Sequence, residues 1–282
     1  MILYKYVTLA RIDVLKRGMI RFTQPAALND PFETNPNWAE YAKQLFDSMT
    51  EMAVKAFGPL GHLAKSNFSM AGRRELIRQK LAKMRRMWGD DVAILCMSKI
   101  KNNLLMWAHY ADEHRGFVIG FDGGHPFFNR PDATPMGELR AVDYFTDRWV
   151  MPSGGLISLQ GEDRQAALVS FFFRKSKEWK YEKEVRLIHE PKRADKTLEK
   201  NGQKLYLYAI PPECIKEVVL GCEMDEHTER EIVDILATKY PKVRLFQAFE
   251  HDSQFKLDFV RYPLDLKERH AANMNKLRKR LG

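Results

Sequence analysis

The chain has 282 residues, 45% of them hydrophobic and 29% charged, with a mean hydropathy of −0.44 and a formal charge of +9 at pH 7. That balance allows a sizeable core and excludes disorder on a large scale. No apolar run approaches the roughly 18–20 residues of a membrane span, and the opening Met1-Ile2-Leu3-Tyr4-Lys5-Tyr6 lacks a secretory apolar core.

Cys96, Cys214 and Cys222 have neither the number of a disulfide framework nor metal-type spacing. The expectation is a cytoplasmic protein without a membrane segment or a zinc knot. Its positive charge is concentrated in two places. Lys65, Arg73, Arg74, Arg78, Lys80, Lys83, Arg85 and Arg86 surround the single acid Glu75. A C-terminal stretch holds Lys267, Arg269, Lys276, Arg278, Lys279 and Arg280 against Glu268. Two basic patches on a near-neutral body suit a polyanion such as nucleic acid. The same pattern fits two solvated helices, and both readings stay open.

In chain order, Leu3 to Val7 alternates as a strand, and Leu9 to Lys16 reads as a short helix stopped by Gly18. A strand follows at Met19 to Thr23. Pro25 and Asn29-Asp30-Pro31-Phe32-Glu33 then force a turn. A helical stripe runs from Glu40 to Phe57 and ends at Gly58-Pro59, and a basic amphipathic helix is expected from Gly72 to Trp88. Val92 to Ser98 reads as a strand, Asn102 to His114 as a helix, and Gly116 to Phe121 as a strong strand. Another strand is expected at Leu139 to Phe145, and a helix carrying Phe171, Phe172 and Phe173 from Glu162 to Trp179. Strands at Leu205 to Ile210 and Glu217 to Leu220 follow. The latter, with a helix from Asp225 to Tyr240 and a strand at Val243 to Phe249, makes a βαβ unit, and Lys256 to Tyr262 adds an edge strand. The fold class is therefore α+β: a single mixed-sheet domain over 1–262 with a helical insertion at about 40–90, then a basic helix or tail over 263–282.

The chemistry concentrates in Lys180-Tyr181-Glu182-Lys183-Glu184-Val185-Arg186. If this stretch is a strand, Glu182, Glu184 and Arg186 share one face, and one of two adjacent carboxylates is disposed to keep its proton. A solvated Glu–Arg ladder is the plainer reading. Asn29, Asp30 and Glu33 are equally good turn residues. His109 and His114 lie on different helical faces, so no shared metal is expected.

The motifs Asn29-Asp30-Pro31-Phe32-Glu33, Met106-Trp107-Ala108-His109-Tyr110-Ala111-Asp112 and Trp179-Lys180-Tyr181-Glu182-Lys183-Glu184-Val185-Arg186 together resemble a widespread bacterial and phage family, a domain of unknown function. A second resemblance is to mono-ADP-ribosyltransferases. It rests on Tyr4-Lys5-Tyr6 in a first strand, Ser98 in a middle strand and Glu182-Lys183-Glu184 leading into a late strand. Lys5 stands where the arginine type has Arg, and Cys96-Met97-Ser98 stands where it has Ser-Thr-Ser. That resemblance implies an enzyme using NAD to modify a nucleic acid or protein, in phage defence or a toxin system. Glu184 would steady an oxocarbenium-like ribose and Glu182 would orient or deprotonate the attacking group. Lys5 or Tyr6 would hold pyrophosphate or ribose and Ser98 would fix the catalytic Glu. The cofactor-binding set also takes in Tyr4, Asn29, Asp30, His109 and Tyr110. Two alternatives stand beside it. One is a Mg2+-dependent nuclease using Asp30, Glu33, Glu182 and Glu184 as oxygen ligands. The other is a non-catalytic nucleic-acid-binding or regulatory module.

Overall fold

In the computed structural model of the chain, the described residues are 1–60, 75, 79, 91–129, 137–152, 154–200 and 202–262. The basic helix expected at 72–88 lies outside them apart from Glu75 and Gln79, and so does the tail after 262. Arg73, Arg74, Arg78, Lys80, Lys83, Arg85, Arg86, Lys276, Arg278, Lys279 and Arg280 therefore fall outside the described residues.

The opening alternation forms β1 (Ile2–Val7), and α1 (Asp13–Arg17) ends on Gly18 at φ +63°, a left-handed cap that glycine adopts without strain. Next come β2 (Met19–Phe22), α2 (Trp38–Phe57), β3 (Ala93–Ser98), α3 (Leu104–Tyr110) and β4 (Phe117–Asp122). Asn37 caps α2 by accepting from the Glu40 amide at 3.1 Å, and Asn103 caps α3 by accepting from the Met106 amide at 3.0 Å. The helix expected to reach His114 stops at Tyr110, because Asp112, Glu113 and His114 all take positive φ and turn the chain back.

The strand expected at Leu139 to Phe145 divides in two. β5 (Arg140–Ala141) pairs with β8 (Glu184–His189), whereas β6 (Asp143–Phe145) pairs in parallel with β7 (Arg174–Ser176). Val142 is the crossing point, its amide donating to the Glu184 carbonyl at 3.0 Å. The helix expected from Glu162 to Trp179 is likewise corrected. It is α4 (Gly161–Phe172), followed by β7 and by a 3-10 helix over Lys177–Glu182. Three consecutive phenylalanines, all buried, read as helix by pattern, but the Phe173 carbonyl is taken by the Asp143 amide at 2.7 Å and the backbone leaves the helix there.

Beyond β8 lie β9 (Lys196–Lys200), which the sequence reading did not separate, and β10 (Gln203–Ala209). The expected βαβ unit follows as β11 (Ile215–Leu220), α5 (Glu226–Lys239) and β12 (Arg244–Glu250), with β11 and β12 parallel, and β13 (Leu257–Tyr262) joins as the edge strand. The architecture is α+β. An eight-stranded mixed sheet runs β13-β12-β11-β4-β1-β3-β8-β5, with a three-stranded sheet β2-β10-β9 beside it. Leu3, Leu95, Met97, Val185 and Leu187 of the large sheet share one core with Ile20, Phe22, Tyr206 and Tyr208 of the small one. Separate apolar clusters form around Trp107 with Tyr6 and Val118, and around Trp38, Trp149 and Phe171.

One discontinuity positions the site. β1 pairs with β4, and β3 with β8, along their lengths, but β1 and β3 meet only at Tyr4 and Ser98. Beyond that point the two halves of the sheet part. Lys5 reaches across the gap, its ammonium donating to the Cys96 carbonyl at 2.8 Å. Among the described residues, no helix is long and apolar enough to cross a membrane.

Candidate functional site

The parting of β1 from β3 leaves a cleft of about 200 Å3 whose walls include Tyr4, Lys5, Tyr6, Asn29, Glu33, Ser98, Tyr110, Lys175, Glu182 and Glu184. The cross-strand register explains the convergence. Tyr4 is opposite Ser98, and Ser98 is opposite Glu184, so one line across β1, β3 and β8 brings the three segments together.

Glu182 reaches the cleft by another route than a shared strand face. It ends the 3-10 helix, Lys183 takes a left-handed conformation at φ 46°, and only Glu184 begins the strand. A non-glycine residue in that region is uncommon. Here it reverses the chain between the two acids so that both carboxylates meet one ammonium.

That ammonium belongs to Lys175, delivered by β7. Its Nζ lies 2.5 Å from Glu182, 3.1 Å from Glu184 and 3.2 Å from Glu33, and 5.0 Å from the centre of the Trp179 ring. Arg186, fully buried, donates through Nε to Glu184 at 2.7 Å, through Nη1 to the Phe172 carbonyl at 2.6 Å, and through Nη2 to Glu33. All five charged side chains are at least nine-tenths buried. Burying charge is tolerable only when it is paired and fully hydrogen-bonded, and this network meets that condition. The Glu–Arg ladder expected at the surface is thus an interior structure.

The three carboxylates exceed the two cations by one negative charge, and the protonation directions say which acid gives way. Burial opposes ionisation of Glu184, but Arg186 and Lys175 override it and hold the carboxyl below the usual carboxylate range. For Glu182 burial prevails over the opposing Lys175 charge, Glu184 adds to it, and the pKa is raised. Burial also works against the charge of Lys175, yet Glu184, Glu33 and Glu182 keep it firmly protonated. Glu182 is therefore the acid disposed to take up a proton.

Hydrogen bonds fix the remaining walls. The Tyr110 hydroxyl donates to Glu182 Oε1 at 2.7 Å and accepts from Asn29 Nδ2 at 2.8 Å; burial and then Glu182 raise its pKa. Ser98 Oγ donates at 2.6 Å to the backbone carbonyl of Glu182, so it positions the acid through the main chain, not through the carboxylate. Tyr144 Oη accepts from the Glu184 amide at 2.8 Å. Tyr6 Oη donates to the Ile100 carbonyl at 3.1 Å. Burial and Glu217 push the Tyr4 hydroxyl up to about 12, while burial lowers the pKa of Lys5.

Tyr4, Lys5, Tyr6, Asn29, Ser98, Tyr110, Glu182 and Glu184 thus share one cleft, and Asp30 and His109 do not line it. Asp30 closes the turn before Glu33, accepting from the Phe32 amide at 2.9 Å, and His109 is exposed beside Trp179. Of the proposed metal ligands, Glu33, Glu182 and Glu184 converge, but around Lys175, so a divalent cation would have to displace an ammonium already held there. Among the described residues no group of three or more His, Cys, Asp or Glu side chains is arranged to hold a metal.

Lys175, Arg186 in its buried role, and Tyr144 were not singled out for the site from sequence. The one available signal was a lysine two residues after three phenylalanines, a place where charge is costly unless it is paired.

No curated protein and no solved structure matches the chain. A family model does match it, over a segment that runs from within α3 to the middle of β8 and so includes Tyr110, Tyr144, Lys175, Glu182, Glu184 and Arg186. It is in the family described as Protein of unknown function (DUF2971) that residues 106–187 of this chain find their match.

Proposed function

We propose that the cleft between β1 and β3 is the site of a ribosyl-transfer enzyme of the ADP-ribosyltransferase type, working on NAD as substrate. The observation that carries this reading is the meeting of the first strand, Ser98 and the Glu182–Glu184 segment in one cleft, on the register line Tyr4, Ser98, Glu184. At about 200 Å3 the cleft is smaller than the roughly 300–1,000 Å3 typical of whole small-molecule sites. It suits the nicotinamide-ribose end of a dinucleotide, with the remainder extending outward. Lys5 spends one of its three donors on the Cys96 carbonyl and keeps two for a phosphate.

In the reaction the bond between ribose C1 and the nicotinamide nitrogen breaks, and its electron pair leaves with nicotinamide. The acceptor forms the new bond to C1 and loses a proton. The roles of the two acids follow from their surroundings. Glu184, saturated by Arg186 and Lys175, organises the cluster. Glu182, with its raised pKa, takes the acceptor's proton, and its charge before that transfer favours the developing cation. This assigns the chemistry to Glu182 and makes Glu184 a positioning residue.

The basic segments suggest a nucleic acid or an acidic protein as the acceptor, and a role in defence goes with the ribosyl-transfer reading. The test is incubation of the full chain with labelled NAD and either RNA, DNA or protein acceptors, with and without EDTA. Label transfer or nicotinamide release that survives EDTA supports the reading. Magnesium-dependent strand cleavage with no use of NAD would replace it with the nuclease.

A further inference from the structure

The outer face of the small sheet carries a second cavity, of about 390 Å3, that the cleft chemistry does not use. Its floor follows from register: Met19 and Arg21 of β2 are opposite Ala209 and Leu207 of β10, while Leu205 of β10 is opposite Leu198 of β9. Alternation sends Ile20, Phe22, Tyr206 and Tyr208 into the core and leaves Arg21 with Leu205 and Leu207 on the outside. The turn before α1 adds Arg11, α1 itself adds Val14, and Arg17 and Lys200 stand at the rim.

The electrostatics of this pocket are one-sided. Arg17 has a partner, Asp13, at 3.5 Å, and both are exposed. Arg11 and Arg21 are half-buried, and among the described residues neither makes a salt bridge or a side-chain hydrogen bond. The Arg21 Nε is buried with no acceptor. Burial lowers the pKa of both, and for Arg11 the neighbouring Arg21 charge lowers it further. Guanidinium groups are ordinarily placed where a planar or tetrahedral oxyanion can accept two of their hydrogens, and a buried donor without an acceptor is costly. Two such groups lining one pocket beside aliphatic walls present the donor chemistry that an oxyanion requires.

We propose that the pocket formed by Arg11, Arg21 and the Leu205–Leu207 face of β10 binds a small organic phosphate. The phosphate oxygens accept from the guanidinium groups of Arg11 and Arg21, Lys200 and Arg17 contribute at the rim, and the aliphatic wall takes the organic part. At this volume the pocket admits a mononucleotide-sized ligand. The inference is independent of the ribosyl-transfer reading, since none of these residues lines the cleft.

The test is calorimetric titration of the full chain with pyrophosphate and with AMP, in a buffer without phosphate or sulfate. Wild type should bind one equivalent. Arg21→Gln and Arg11→Gln should each bind about tenfold or more weakly, as expected for loss of charge-assisted hydrogen bonds, and Glu182→Gln should bind as wild type does. A merely structural arginine would leave a less stable protein when removed. Here removal of a half-buried cation without an acid partner should leave the melting temperature equal or higher, while abolishing the rise that pyrophosphate causes in wild type. Amide exchange on wild type gives a readout free of any variant: pyrophosphate should slow exchange over Leu9–Arg17 and Met19–Phe22. No binding at millimolar concentration, binding unchanged when Arg11→Gln and Arg21→Gln are combined, or protection confined to the cleft would overturn the proposal.

Discussion

Replacing Lys175 by Met removes the cation that three buried carboxylates share at 2.5–3.2 Å and leaves Glu33 and Glu184 to Arg186, with Glu182 bonded to no cation among the described residues. Breaking a buried pair by deleting one partner costs about 3–5 kcal/mol, because the charge left behind has neither water nor a counterion. Against a total stability of roughly 5–15 kcal/mol this is a large fraction, and for a chain of this size it lowers Tm by roughly 6–15 °C. The loss should also depend on pH in a sense opposite to ordinary acid denaturation. Without Lys175 the chief force lowering the Glu182 pKa is gone, while burial and Glu184 still raise it. A carboxyl whose folded pKa lies above its unfolded value contributes stability below the unfolded pKa and loses it as pH rises through the folded one. Urea denaturation of the variant should therefore show a smaller deficit relative to wild type at pH 5.5 than at pH 8. A variant within about 0.5 kcal/mol of wild type at both pH values would fall in the range of an ordinary surface substitution and would refute the charge-cluster reasoning.

Three further outcomes follow from the same geometry. Wild type should lose stability as pH falls below the ordinary carboxylate range, because the folded pKa of Glu184 is depressed and its contribution disappears as pH drops through that value; an acid titration followed by circular dichroism checks this. Tyr110→Phe leaves Glu182 Oε1 without its hydroxyl donor at a cost of about 1–3 kcal/mol and raises the Glu182 pKa further, measurable as an upward shift in the pH profile of NAD turnover. Gly221→Ala should prevent folding or destabilise by several kcal/mol, since a Cβ there would lie 1.9 Å from the His114 carbonyl oxygen and 2.7 Å from that of Gly116; expression and thermal melting decide it.

Much of this was legible in the sequence because it is local. Glycine at 18 and 58 marks helix ends, alternation marks β1, short apolar runs mark β3 and β4, and the β11-α5-β12 unit declares itself by its change of period. The convergence of Tyr4, Ser98 and Glu184 was anticipated from motif order. The heart of the cluster was not, because its contacts are long-range and its sequence is misleading. Glu33 and Arg186 are 153 residues apart, and Lys175 reaches Glu182 through a short parallel pairing of β6 with β7 that no periodicity announces. Phe171 to Phe173 made the segment look like one long helix, which hid the strand that carries Lys175 inward. Glu182 was assigned to the strand because alternation is blind to a left-handed residue such as Lys183.

In the proposed reaction Glu182 performs proton transfer while Glu184 holds the cluster together. Nicotinamide release from NAD by wild type, Glu182→Gln and Glu184→Gln, each with its Tm, tests it most directly. Glu182→Gln, which leaves two carboxylates balanced by two cations, should keep its fold within a few degrees and lose about 10²–10⁴ in rate, whereas Glu184→Gln should lose Tm first. Release unaffected in a folded Glu182→Gln, or absent from wild type with every acceptor, would contradict it.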